Sequence, residues 1–554
     1  MPAKTHRNVA FSRTAAIGIV VFMAVSALVA AAQTSVTTYH YDNYRTGWNQ
    51  TESTLTPANV TKATFGLLSS VTLDDQVDAQ PLIVPGVMIT AGQYQATVHD
   101  VAYVATEGNT VFAIDVHTGA VLLNPNFGTP VKYPLGCGNN GPNVGINSTP
   151  VIDPSSNTLY VIAYTQSAKT QNYTLHALDL GSLTDKVTPQ LVTASHTLNN
   201  GTTFTFNATY QRQRPGLLLA NGSIYAAFGS FCDFNANLSR GWVLGWTAGT
   251  LAPFPSNQLN DLQATDSGSF FLSSIWMSGY GLAADDSGNI LFVTGNSGPN
   301  TYDGVTNIQE SVVKISSTLN SELDIFTPDN QVSLDQGDVD FGSGGVLILP
   351  DQPGATPHLA VAAGKDGNLY FMNEDALGGY SPNQNNVLGT YSVGGCWCGH
   401  SYFADASGAH VVTSGGYNIG LWQVQTSPKP ALDFLKTSAY IANPMEDPGF
   451  FTSVSSNGTG NSIIWAVSRP QSAGKYPIFL YAFNPEVGKK TMKKLYRAKA
   501  GFWPNVGGNS NLVPVVANGE VFVASNRVLE IFGLLGANSK AQAKAKGEVQ
   551  PRKR

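Results

Sequence analysis

The chain has 554 residues, 12% of them charged and 42% hydrophobic, with 56 glycines, 22 tyrosines and a formal net charge of −6. That hydrophobic share supports a large core and excludes general disorder, while so few charges among so much Gly, Ser, Thr and Asn exclude long charge-paired helices. Both ends are net basic, so the body between them is more acidic than the total, which makes nucleic acid a poor partner.

In chain order, Lys4, Arg7 and Arg13 precede an apolar run over residues 15–29, and Ala30, Ala31 and Ala32 offer small residues for cleavage. This is the pattern of an export signal over residues 1–32, with an uncleaved anchor as the alternative. The expected location is therefore periplasmic or extracellular. Export admits disulfides among the four cysteines, Cys137, Cys232, Cys396 and Cys398. No CxxCH occurs, which excludes a covalently attached haem.

The first full repeat runs from Val101 to Asp115: a strand, a turn at Glu107-Gly108-Asn109, a second strand ending in Asp, then a turn closing at Thr118-Gly119. Weaker copies lead from Thr149-Pro150 to Asp179, from Gly222 to Leu244, from Gly288 to Ile315 and from Leu359 to Tyr370. His410, Ile463 and Val521 head three more. Eight units about 55–65 residues apart predict an all-β chain folded as an eight-bladed β-propeller. The sixth and seventh units are faint, so seven blades is the alternative count, and a stack of β-sandwiches the alternative architecture. Residues 33–536 read as one domain in which the segment 39–73 supplies a closing strand to the last blade. Residues 537–554 read as a basic disordered tail.

The unit with Tyr-Val, Gly-Asn and Ala-Ile-Asp-x-x-Thr-Gly resembles the repeat of pyrroloquinoline quinone (PQQ) propeller proteins, the quinoprotein alcohol dehydrogenase-like superfamily. The resemblance spans roughly residues 35–535, and the family also contains members without catalytic activity. In its dehydrogenases PQQ lies on the propeller axis, on a Trp floor, under a disulfide of adjacent cysteines and bound through Ca²⁺. The resemblance implies Trp276 as floor, Asn296 and Asp233 as calcium ligands, and Lys365, in Gly364-Lys365-Asp366-Gly367-Asn368, as the quinone contact. Asp335, Asp338 and Asp340 match the segment of the catalytic base. Strict alignment puts Gly337 at the base position, so Asp338 is the candidate base and a third metal ligand, with Lys365 as its catalytic partner.

Departures from the pattern weigh against full activity. Cys137-Gly138 stands where the family has adjacent cysteines, so that cap cannot form there. In the family's strand order the loops carrying Cys137 and Cys232 emerge on one face, which makes a Cys137–Cys232 disulfide the expectation. Cys396-Trp397-Cys398-Gly399-His400 is open to a local disulfide, a rim contact or a metal site, and Trp397 could substitute for the missing cap. Each site residue also has a plainer role: Trp276 as packing, Asn296 as a turn former, Lys365 as a solvated turn lysine, the Asp cluster as an acidic loop.

Two functions follow. The lost cap and the unsettled base favour an exported monomer with a degenerate cofactor site that binds a small molecule or a protein in its axial funnel. The ordered series Trp276, Asn296, Lys365 keeps the alternative, a PQQ- and calcium-dependent alcohol or sugar dehydrogenase. PQQ with calcium and no cofactor at all thus stand as equal expectations. No GxSxG, HExxH, P-loop or EF-hand pattern appears, so hydrolase and nucleotide chemistry have no support.

Overall fold

The computed structural model describes residues 33–137, 141–197, 203–232, 239–254, 273–297, 302–304, 308–441, 449–468, 476–504 and 512–536, with Met1 and Gly201 besides. The export signal, Asp233, Gly138 and the basic tail lie outside them.

The molecule is an eight-bladed β-propeller. The first strands of blades 1 to 8 are Leu82–Ile89, Val151–Asp153, Leu218–Ala220, Ala283–Ala284, Val346–Leu349, Ser401–Asp405, Phe451–Asn457 and Val515–Ala517. Most blades run on as antiparallel meanders; blade 1, for example, continues through Thr97–Ala105, Val111–Asp115 and Val121–Leu123. Blades 6 and 7, faint in sequence, form complete four-strand meanders, which decides the count for eight. The strand-ending Asp of the repeat has a local purpose. Asp115 accepts the backbone N–H of His117 and Thr118, and Asp179 those of Gly181 and Ser182, so each carboxylate holds the turn that follows.

Adjacent blades bury their faces against each other, so the core is a set of seams. One seam joins Val515, Phe522 and Ile531 of blade 8 to Ile83, Ala102, Phe112 and Ile114 of blade 1. The ring closes as expected by an N-terminal strand: Phe65–Gln76 pairs antiparallel with Glu520–Leu534, Phe65 opposite Leu534.

Residues 36–52 do something the sequence did not announce. They form a strap that bonds to every blade in turn. Val36 exchanges backbone bonds with Ile83, and the carbonyls of Thr37, Asn43, Tyr44, Thr46 and Gly47 accept the N–H groups of Ile152, Ala284, Ile348, Tyr402 and Val454. The Asn43 amide reaches Leu219 O in blade 3. Tyr41 and Glu52 take the N–H groups of Val516 and Gly519 in blade 8. Among the described residues there is one α-helix, Gln331–Gly337, in the connection from blade 4 to blade 5.

Candidate functional site

The elements that carry the predicted residues converge on a cleft of about 130 Å³ lined by Trp276, Ser278, Asp338, Asp340, Lys365 and Trp397, with Arg212, Arg214, Ser230, Cys232 and Ser343. Trp276 follows the inner edge of blade 3 and is seated on bare backbone. A Cβ at Gly229 would lie 2.7 Å from its indole, and one at Gly295 2.1 Å from it. Only glycine at both positions lets the ring lie there. Its Nε1 donates to Ser230 O at 3.2 Å.

The helix Gln331–Gly337 ends in a left-handed residue, Asp338 (φ 52), a position that glycine usually fills. That reversal turns the Asp338 carboxylate to Asn296, whose Nδ2 donates to Asp338 Oδ1 at 2.9 Å. The Asn296 backbone N–H donates to Asp340 Oδ1 at 3.2 Å. Lys365 Nζ lies 2.5 Å from Asp340 Oδ2, 3.0 Å from Asp338 O and 3.8 Å from Asp338 Oδ2, and 4.7 Å from the centre of the Trp397 ring. Asp338 is 70% exposed at its side chain and Asp340 only 7%. Cys232 and Ser278, also lining the cleft, share the left-handed backbone with Asp338, so strained non-glycine residues gather here.

Behind these groups sit two acids. Asp335 accepts from Ser297 N–H and Gln309 Nε2, each at 3.1 Å, and from Gln331 Nε2. Burial, with the charge of Asp340, pushes its carboxyl up to about 7. Glu310 is fully buried in left-handed backbone; its Oε2 accepts Phe341 N–H at 2.5 Å. Burial first, then Asp340 and Asp335, raise its carboxyl well above the carboxylate range. Nothing in the sequence singled out Glu310, which precedes an ordinary strand. Two buried oxygens, Asn296 Oδ1 and Glu310 Oε1, have no hydrogen-bond partner among the described residues. Carboxylate and amide oxygens are the donor type that a hard divalent cation takes.

The structure thus brings Trp276, Asn296, Asp338 and Lys365 together, with Cys232 at the same cleft. Both cysteine pairs are joined. Cys137 and Cys232, 5.7 Å apart at Cα, form the expected disulfide, and Cys396 bonds Cys398. The second bond takes both sulfurs from any metal and sets Trp397 at the cleft.

No family model matches the chain, and no curated protein matches it by sequence. Among solved structures, quinohemoprotein alcohol dehydrogenase from Comamonas testosteroni is similar at 12% identity and TM-score 0.56, over 91% of this chain and 81% of that one. A quinohemoprotein alcohol dehydrogenase from Pseudomonas putida HK5 gives 12% and 0.57, over 90% and 80%. A europium-containing methanol dehydrogenase gives 10% and 0.53, over 90% and 98%. At such identity the likeness shows the fold: a propeller of the quinoprotein alcohol dehydrogenase type.

Proposed function

We propose that the axial cleft binds pyrroloquinoline quinone through a divalent cation and that the exported protein uses it to oxidise an alcohol or a sugar. The observation that carries this is the buried side-chain oxygen of Asn296, without a partner among the described residues, on a residue whose N–H groups are held by Asp338 and Asp340. Bound there, the quinone would supply the two-electron acceptor. The chain's own groups supply the rest. Trp276 offers a flat face for a planar ring, kept open by Gly229 and Gly295. Asn296, Glu310 and Asp338 offer oxygens to the cation, and Lys365 offers a positive charge at the cleft wall. Asp338 has one oxygen fixed by Asn296, leaving Oδ2 to take a hydroxyl proton.

The second reading, a degenerate site that binds a ligand without turnover, rests on Lys365. Its ammonium is engaged by Asp340 at 2.5 Å, and the base stands one residue from the family's position. Titration calorimetry of the mature protein with PQQ separates the two. Binding with Ca²⁺ that disappears with a chelator supports the dehydrogenase, to be followed by turnover with an artificial acceptor. No binding under either condition leaves the second reading.

A further inference from the structure

The connection from blade 5 to blade 6 carries Cys396, Cys398 and His400, which have no part in that scheme. They are 0%, 0% and 1% exposed, and two sulfurs and a ring nitrogen lie within 4.8 Å of one another. Neither Nδ1 nor Nε2 of His400 has a hydrogen-bond partner among the described residues. A neutral imidazole brings one donor and one acceptor, and buried polar groups are nearly always paired. A buried histidine with neither nitrogen met is an exception that a bound ion would account for.

The Cys396–Cys398 bond is not what holds this segment. It spans 2 positions in sequence against 95 for Cys137–Cys232, and a disulfide stabilises less the shorter the loop it closes. Hydrogen bonds fix the backbone without it. Cys396 N–H donates to Gly364 O at 2.9 Å, and Ser343 Oγ donates to Cys396 O at 2.7 Å. Ser414 Oγ donates to Gly399 O at 3.2 Å, and Tyr280 OH to His400 O at 3.1 Å. Trp397, between the cysteines, lines the cleft, which gives small thiols and ions a route to the pair.

We propose that reduction of the Cys396–Cys398 disulfide unmasks a zinc site made by both sulfurs and His400. Two small thiols supply two electrons and two protons: the S–S bond breaks, Cys396 and Cys398 become thiols, and the reductant leaves as its own disulfide. Zn²⁺ then displaces both thiol protons to solvent and bonds to two thiolates and the imidazole. Two Cys and one His, with a fourth position open, is one of zinc's ligand sets. The two thiolates cancel its charge, so the centre is neutral where both sulfurs pack among Leu347, Val361 and Phe371. Cu⁺ on the same ligands would leave an uncompensated buried anion. The site uses sulfur and nitrogen where the cleft offers oxygens, and it does not rest on the quinone.

A metal that binds only the dithiol form must shift the disulfide equilibrium, which gives the test. The full chain is equilibrated in glutathione redox buffers with and without Zn²⁺, the thiols are trapped, and each cysteine pair is read by mass spectrometry. At free Zn²⁺ a hundred times its Kd, the ratio of reduced to oxidised Cys396–Cys398 is expected to rise about 100-fold. Cys137–Cys232 is expected not to move and serves as the internal control. No shift, or an equal shift of both pairs, overturns the site. His400→Gln keeps both sulfurs and should lose most of the shift; a full shift in that variant overturns the three-ligand site. The measurement on the unaltered chain needs no variant to fold, and its failure leaves the quinone reading where it stood.

Discussion

Two sets of acids in this molecule receive similar numbers of hydrogen bonds and respond in opposite ways. In the turns, Asp115 accepts from His117 N–H, Thr118 N–H, Thr118 Oγ1 and His99 Nδ1. Asp405 accepts from Ser407 N–H, Ser407 Oγ and His410 Nε2. Burial opposes their charge, but these bonds outweigh it, lowering Asp115 and holding Asp405 at about 2. At the cleft, Asp335 has three donors and still sits near 7, because burial and the charge of Asp340 prevail. The turn acids are anions the fold wants. The cleft acids are carboxyls whose charge the fold opposes, and groups so perturbed in a cleft are candidates for a binding site.

The contrast can be broken by substitution. Asp115→Ala should cost the most, about 3 kcal/mol at pH 7 in denaturant melts, since several charge-assisted bonds go with it. Next comes the cation. Ca²⁺ at a hundred times its Kd should stabilise the protein by about 2.7 kcal/mol. Without it, Asp335 binds its proton more tightly folded than unfolded. That contribution is whole below the ordinary carboxylate range and is lost as pH rises through about 7. Thermal melts in chelator should therefore decline from pH 5 to 8, and Asp335→Asn or excess Ca²⁺ should flatten the decline.

Glu310→Gln should be neutral or raise stability by about 1 kcal/mol at pH 8 while weakening Ca²⁺ binding; a loss comparable to that of Asp115→Ala would erase the distinction. The smallest effect belongs to Asp405→Asn, about 1 kcal/mol at pH 7. Its folded-state carboxyl is held low, so this contribution is present above the ordinary range and lost as pH falls toward about 2. The gap between the two proteins should narrow in melts taken at progressively lower pH.

Turn acids such as Asp115 and Asp179 were legible and most of the cleft was not, for a physical reason. A turn is closed by residues two or three apart, so its Asp shows in the sequence beside the strand it ends. The cleft is assembled from loops of blades 3, 4 and 5, and only motif order along the chain pointed to Trp276, Asn296 and Lys365. Arg212, Arg214 and Glu310 carry no spacing signal, because what makes them notable is burial beside groups remote in sequence. The αL turn at Asp338 likewise arises from a short helix that an all-β reading omits. Residues 36–52 were read only as a lead-in to the closing strand, since each of their bonds goes to a different blade and leaves no period to detect.

That strap has a bearing on how the chain is made. Glu52 and its partner Gly519 are 467 residues apart, so the segment emerges from the ribosome long before its final partner exists. Through synthesis and any transport it must stay unpaired, or hold a partial set of bonds, until the eighth blade arrives. Its docking then reports that the ring is complete: a segment made early is among the last to find its place.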